Sequence, residues 1–227
     1  KPRIPAVVAR HVYVAEFMAE KLYLNQKTLC DIGAGDGQFS DIIRRPEYGA
    51  VPFGIEPSKT NCANMTKLGI DNYCGTFGSY INQTSFASNR FQLVSLLWTL
   101  ENSQSCRSLI DAAYNILVDE GHIIIATGSR ILVPFKKPLY DYLGLYEGTA
   151  TPDLHSFLFS VNSLQNLLKL SGFQEIRVNR YLDSDYLVMI GKKKNKSTKI
   201  ALRKDDPEKI IDFFNRWDFD THQYFKK

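Results

Sequence analysis

Asp31-Ile32-Gly33-Ala34-Gly35-Asp36-Gly37 closes an apolar run over residues 27–32 and opens a helical pattern over residues 37–44. Three glycines in five residues at that place admit few folds. They let the backbone turn sharply and approach a ligand with no Cβ in the way. The helix behind them offers free N–H groups and a partial positive charge. A pyrophosphate-binding turn would have a glycine where Gln38 stands. The spacing is instead GxGxG preceded by the acid Asp31, which favours a cofactor that brings an amino group.

The rest of the chain repeats the strand–helix alternation. Residues 6–24 carry an imperfect helical stripe, expected as an N-terminal helix within residues 1–26. Residues 51–55 read as a second strand, with Ser58 as N-cap of a helix running to about residue 68. A short third strand is expected over 72–76, and a fourth, almost wholly apolar, over 91–98. A helix over 106–117 is expected to stop near Gly121, before a buried fifth strand over 122–127. The alternation implies right-handed crossovers and a parallel sheet covered on both faces. Residues 130–159 fit no single period and read as an insertion. After a helix over 161–170, strands over 175–181 and 186–190, joined by Asp183-Ser184-Asp185, read as an antiparallel hairpin.

Composition narrows the class. With 44% apolar and 23% charged residues, the 227-residue chain suits one globular domain. A net charge of +4 is too weak to argue for nucleic acid. No apolar run is long enough to span a membrane. Cys30, Cys62, Cys74 and Cys106 show no metal-ligand spacing and read as reduced thiols of a cytoplasmic protein.

Glu56, at the end of the second strand, can accept both hydroxyls of a ribose. Together with GxGxG it resembles the class I S-adenosylmethionine-dependent methyltransferases over residues 28–190. Residues 91–102 line up with that family's fourth strand, typically FDxVxxxHVLEH. The resemblance implies an α/β Rossmann-like fold: a seven-stranded, mostly parallel sheet of order 3-2-1-4-5-7-6, with a C-terminal antiparallel hairpin and helices on both faces. It implies S-adenosyl-L-methionine as cofactor. Asp31 would face the methionine amino group, and Gly33, Ala34, Gly35, Asp36 and Gly37 would wrap the cofactor with Phe39 behind them. Glu56 and Pro57 would lie at the ribose, Gly75, Thr76 and Phe77 beside the adenine, and Leu97 and Trp98 on the floor. The family's two histidines are Trp98 and Asn102 here, so any chemistry that depends on them is lost.

Ligands of open α/β sheets sit beyond the carboxyl ends of the strands. Glu101, Arg130, Lys136, Tyr140 and Tyr142 are therefore expected at the acceptor, with His155 as candidate general base. Packing or capping of the next helix is the plain alternative for His155, and His11, His122 and His222 read as structural or exposed. Residues 128–173 also resemble methyltransferases of bacterial surface-polysaccharide and modified-sugar pathways, carried by residues 129–139 and 155–160. That implies O-methylation of a sugar hydroxyl in a glycan or a nucleotide- or lipid-linked sugar. N- or C-methylation of a small metabolite is the alternative, followed by nucleic-acid methylation or a non-catalytic interaction module. No metal is expected, since the acid pairs Asp119-Glu120 and Asp183/Asp185 fall where turns are expected. Residues 1–194 form the expected methyltransferase domain. A basic stretch over 192–204 and an amphipathic helix from Pro207, with Ile210, Ile211, Phe214 and Trp217, follow as a tail that could pair two copies or reach a neighbouring domain.

Overall fold

The computed structural model describes residues 4–83, 88–127, 156–157, 159–179, 186–195 and 200–224. Its elements are α1 (Pro5–Lys21), β1 (Thr28–Ile32), α2 (Gln38–Ile43), β2 (Val51–Glu56), α3 (Lys59–Lys67), β3 (Asp71–Cys74), α4 (Phe77–Ile81), β4 (Phe91–Leu97), a 3-10 turn (Leu100–Asn102), α5 (Cys106–Ile116) and β5 (Leu117–Thr127). They continue with α6 (Val161–Leu170), β6 (Phe173–Val178), β7 (Leu187–Lys193) and α7 (Pro207–Tyr224). The seven strands form one sheet of order β3-β2-β1-β4-β5-β7-β6, as expected. Strands β1 to β5 pair in parallel, while β7 runs antiparallel to both β5 and β6.

The apolar strands are explained by burial on two faces. Val94 and Leu96, Ile123 and Ile125, and Leu187 and Met189 point to one face, beneath α5 and α6. Their neighbours Leu93 and Leu97, Ile124 and Ala126, and Val188 and Ile190 point to the other, beneath α1 and α2. Serines start the helices. Ser58 and Ser105 accept from backbone N–H groups of α3 and α5, and Ser160 forms a capping box with Ser163 at α6.

Four expectations change. The third strand ends at Cys74, and Thr76 caps an additional short helix, α4, which the sequence pattern did not show. The fifth strand starts at Leu117, not residue 122: Phe91 pairs with Leu117 and Leu93 with His122, so an irregularity absorbs the residues between. Asp119 and Glu120 thus lie within a strand, not in a connecting turn. The sixth strand begins directly after Gly172 and ends at Val178. The seventh runs on to Lys193 and takes in the start of the expected basic stretch. There Lys192 and Lys194 pair with Glu120, at 2.6 and 2.7 Å. The Asp183-Ser184-Asp185 turn lies outside the described residues.

Lys193 is buried. Its ammonium donates to the Leu117 carbonyl at 2.6 Å and to Asn89 Oδ1 at 3.0 Å, and lies 4.5 Å from the centre of the Tyr114 ring. The tail is tied to the domain. Asp205 accepts from Ser160 Oγ at 2.6 Å and Asn162 Nδ2 at 3.0 Å, while Arg203 N–H donates to Asn166 Oδ1. Trp217 and Thr221 of α7 are buried, while Ile211 and Phe219 are exposed. No helix among the described residues is long and apolar enough to cross a membrane.

Lys193→Ala leaves the Leu117 carbonyl without its donor and should lower stability by about 2 kcal/mol. Urea midpoints should show Lys192→Ala, at an exposed ion pair, costing much less.

Candidate active site

The carboxyl ends of β1, β2 and β4 converge. Gly33, Gly35 and Gly37 all have positive φ, at 76°, 56° and 80°. Gly33 and Ala34 both donate to the Ile55 carbonyl of β2, at 2.8 and 3.2 Å. A Cβ on Gly33 would come within 2.5 Å of Thr99 Oγ1, so only glycine fits between the turn and the end of β4.

Glu56 is 8% exposed. One carboxylate oxygen accepts the Gly35 N–H at 3.0 Å and the other the Ser58 N–H at 2.9 Å. Each oxygen keeps a second lone pair. A cavity of about 790 Å³ opens beside it. Gly33, Glu56, Pro57, Gly75, Thr76 and Phe77 lie on one side, and Trp98, Thr99 and residues 102–105 with the start of α5 on the other. That volume lies in the range of small-molecule sites.

Of the expected residues, Ala34, Gly35 and Gly37 of the turn lie off the cavity wall, and so do Asp31, Asp36, Phe39, Leu97 and Glu101. Asp31 is 2% exposed and sits between β1 and β4, where it accepts from Ser95 Oγ at 2.7 Å. Burial, with the nearby Glu56 charge adding to it against the Ser95 bond, pushes its carboxyl up to about 6. Phe39 is buried in the core under α1, because the first turn of α2 faces that layer. Leu97 belongs to the same core. Glu101 is fully buried: Thr127 Oγ1 donates to its carboxylate at 3.1 Å, and the Ser156 N–H to its carbonyl at 3.0 Å. It ties the 3-10 turn to the end of β5. Asp36 is exposed at the turn. His155, Arg130, Lys136, Tyr140 and Tyr142 lie outside the described residues. Among the described residues, no cluster of three or more His, Cys, Asp or Glu could hold a metal ion.

Trp98 has φ 53°, a left-handed conformation that bulky residues rarely adopt. The fold holds it there: its N–H donates to the Ala126 carbonyl at 2.7 Å, and its carbonyl accepts from Asn102 Nδ2. Its ring meets the edges of His11 and Tyr186, at 5.4 and 5.5 Å between centres. His11 Nδ1 lies 2.8 Å from Gln38 Oε1, so the helix after the glycine turn is coupled to α1. Sequence reasoning missed this corner. Nothing local marks Arg10 and His11, because only the return of α1 over the sheet brings them to Trp98.

A sheet in this order, with a glycine turn after β1 and an acid ending β2, is the framework of the class I S-adenosylmethionine-dependent methyltransferases. The chain belongs to the methyltransferase-domain family, whose model matches residues 10–178. It is an enzyme of that kind, with S-adenosylmethionine as cofactor. Solved structures share the fold. A Thermotoga maritima S-adenosylmethionine-dependent methyltransferase, described as a possible histamine N-methyltransferase, is 20% identical with TM-score 0.59, covering 83% of this chain and 92% of its own. An S-adenosylmethionine-dependent methyltransferase from Archaeoglobus fulgidus is 14% identical with TM-score 0.59, covering 81% and 94%. A candidate O-methyltransferase from Nostoc punctiforme is 16% identical with TM-score 0.59, covering 82% and 56%. Among curated proteins none matches significantly.

The raised Asp31 carboxyl sets a pH dependence. Between about pH 4 and 6 the folded protein holds a proton there that the unfolded chain has released. Stability therefore falls as pH rises through that window, by roughly 3 kcal/mol for a two-unit displacement. Asp31→Asn should remove this slope. The difference in unfolding free energy between ligand-free wild type and variant, followed by urea titration from pH 4 to 7, should grow in the variant's favour.

Proposed function

We propose that the chain transfers a methyl group from S-adenosylmethionine to a hydroxyl of a sugar-type acceptor. The observation that carries the cofactor half is the Glu56 carboxylate, held by two backbone N–H groups at the lip of the cleft with lone pairs left for a ribose diol. Gly75, Thr76 and Phe77 would flank the adenine on the wall of the same cavity. The backbone of Gly33 to Gly37 would follow the methionine part, with Asp31 acting from beneath as a buried acid toward a positively charged ligand. These residues fit the group: an acid for the diol, a Cβ-free turn, and an apolar slot.

Bound S-adenosylmethionine supplies a methyl group on a positively charged sulfur. The protein's task is then alignment: the acceptor oxygen must lie in line with the methyl–sulfur bond. On transfer to that oxygen the sulfur would keep the bonding electron pair, and the hydroxyl proton would have to pass to a base. His155 is the proposed base, with Arg130, Lys136, Tyr140 and Tyr142 holding the acceptor. Support for this half comes from the mixture of cations, aromatics and one histidine in residues 130–155. It also comes from Ser156, the residue after His155, whose N–H is bonded to the Glu101 carbonyl just beyond β4.

An amine acceptor is the second reading, since the Thermotoga maritima structure is described as a possible histamine N-methyltransferase. An amine can be attacked without a protein base, so one pair of variants separates the two. Glu56→Ala should weaken S-adenosylhomocysteine binding roughly 10-fold or more by calorimetry, about 1.4 kcal/mol. His155→Ala should leave that binding intact and cut methylation of a hydroxyl acceptor by roughly 100-fold. Full activity of His155→Ala would point to the amine.

A further inference from the structure

Among the described residues, two donors at the end of β4 have no acceptor. The Arg10 guanidinium lies 4.2 Å from the centre of the Trp98 ring. Among the described residues no carboxylate pairs with it, and its Nε–H is buried without an acceptor. Trp98 Nε1–H is likewise buried and without an acceptor. A buried donor left unpaired is destabilising, and here two meet at a residue whose own backbone is held in an unfavourable region. Strain of that kind collects at functional sites. Both residues are only half-buried, and Trp98 lines the cofactor cavity. A cation on an aromatic face with two unused N–H groups lacks one thing: negatively charged oxygens.

We infer that Arg10 and Trp98 seat an anionic group, a phosphate or a carboxylate, of the methyl acceptor. The inference rests on the methyltransferase assignment and deepens the proposed acceptor class: the sugar carries a charge. Arg10 supplies a planar fork suited to such oxygens, and Trp98 supplies the aromatic platform on which that fork lies. The amino-terminal half of α1 thereby sets acceptor specificity.

The test is calorimetry on the full chain with S-adenosylhomocysteine bound, whose own affinity is the control for fold and cofactor site. The probes are UDP-glucose (phosphate on a sugar), glucuronate (carboxylate on a sugar), inorganic pyrophosphate (phosphate alone) and methyl glucoside (neutral sugar). Expected is binding of at least one anionic probe. It should weaken roughly 10-fold or more in Arg10→Gln and less in Arg10→Lys, with S-adenosylhomocysteine affinity unchanged in both. UDP-glucose or glucuronate as the tighter ligand identifies the phosphate or the carboxylate as the group seated. Pyrophosphate bound in an Arg10-dependent way, with neither sugar probe tighter, would remove the sugar and leave the anion seat standing. Anionic probes that bind wild type and Arg10→Gln equally, or bind neither while S-adenosylhomocysteine binds both, would overturn the inference.

Discussion

Glu56 connects the glycine turn after β1 to the start of α3 through polar bonds, above the packing of Ala34 on Cys62 and Met65. One of its oxygens holds Gly35 in the turn after β1, and the other holds Ser58 at the start of α3. The same two strands exchange a second set of bonds where Gly33 and Ala34 share the Ile55 carbonyl. Thr99, from the end of β4, then closes on Gly33 at a distance no other residue would allow. Three strand ends are thus locked into one rigid edge before any ligand arrives. Preorganisation of this sort suits a reaction in which alignment is most of what the protein contributes.

Charge is distributed unevenly along that edge. Acids stand at the ends of β1 and β2, one buried beneath the turn and one at the lip. The guanidinium of Arg10 stands across the end of β4, brought there by α1. A positively charged cofactor and a negatively charged acceptor would be sorted by this arrangement to opposite sides of Trp98. The electrostatic contrast is sharpened by low exposure, since screening by water is weak there.

Much of the fold was legible because a strand buried on both faces cannot hide: Phe91 to Leu97 and His122 to Thr127 are apolar almost throughout. Ser58 announced its helix, and the helix expected over residues 161–170 runs from Val161 to Leu170. Elements whose reason lies far away in the chain were not legible. Lys192 and Lys193 look like the start of a basic tail, and only pairing with the remote His122, Phe173 and Gln174 makes them strand residues. Leu117 and Val118 look like the end of a helix because their strand partner, Phe91, is remote. The glycine turn and Glu56 could be read because they are compact motifs at strand ends. Arg10 and His11 could not, since no local pattern says that α1 returns to the carboxyl edge.

Asp205 has a practical meaning for where this polypeptide can be cut. It sits beside Ser160 and Asn162, at the amino end of α6, where a negative charge is favoured by the unpaired N–H groups and the dipole of the helix. A chain ended at Lys204 would therefore lose more than the terminal helix. It would strip the α6 start of its acid and expose the buried surface that Trp217 covers. Shortened versions meant to probe self-association should stop after Asp206. They would then keep the acid at the start of α6 and remove α7 alone.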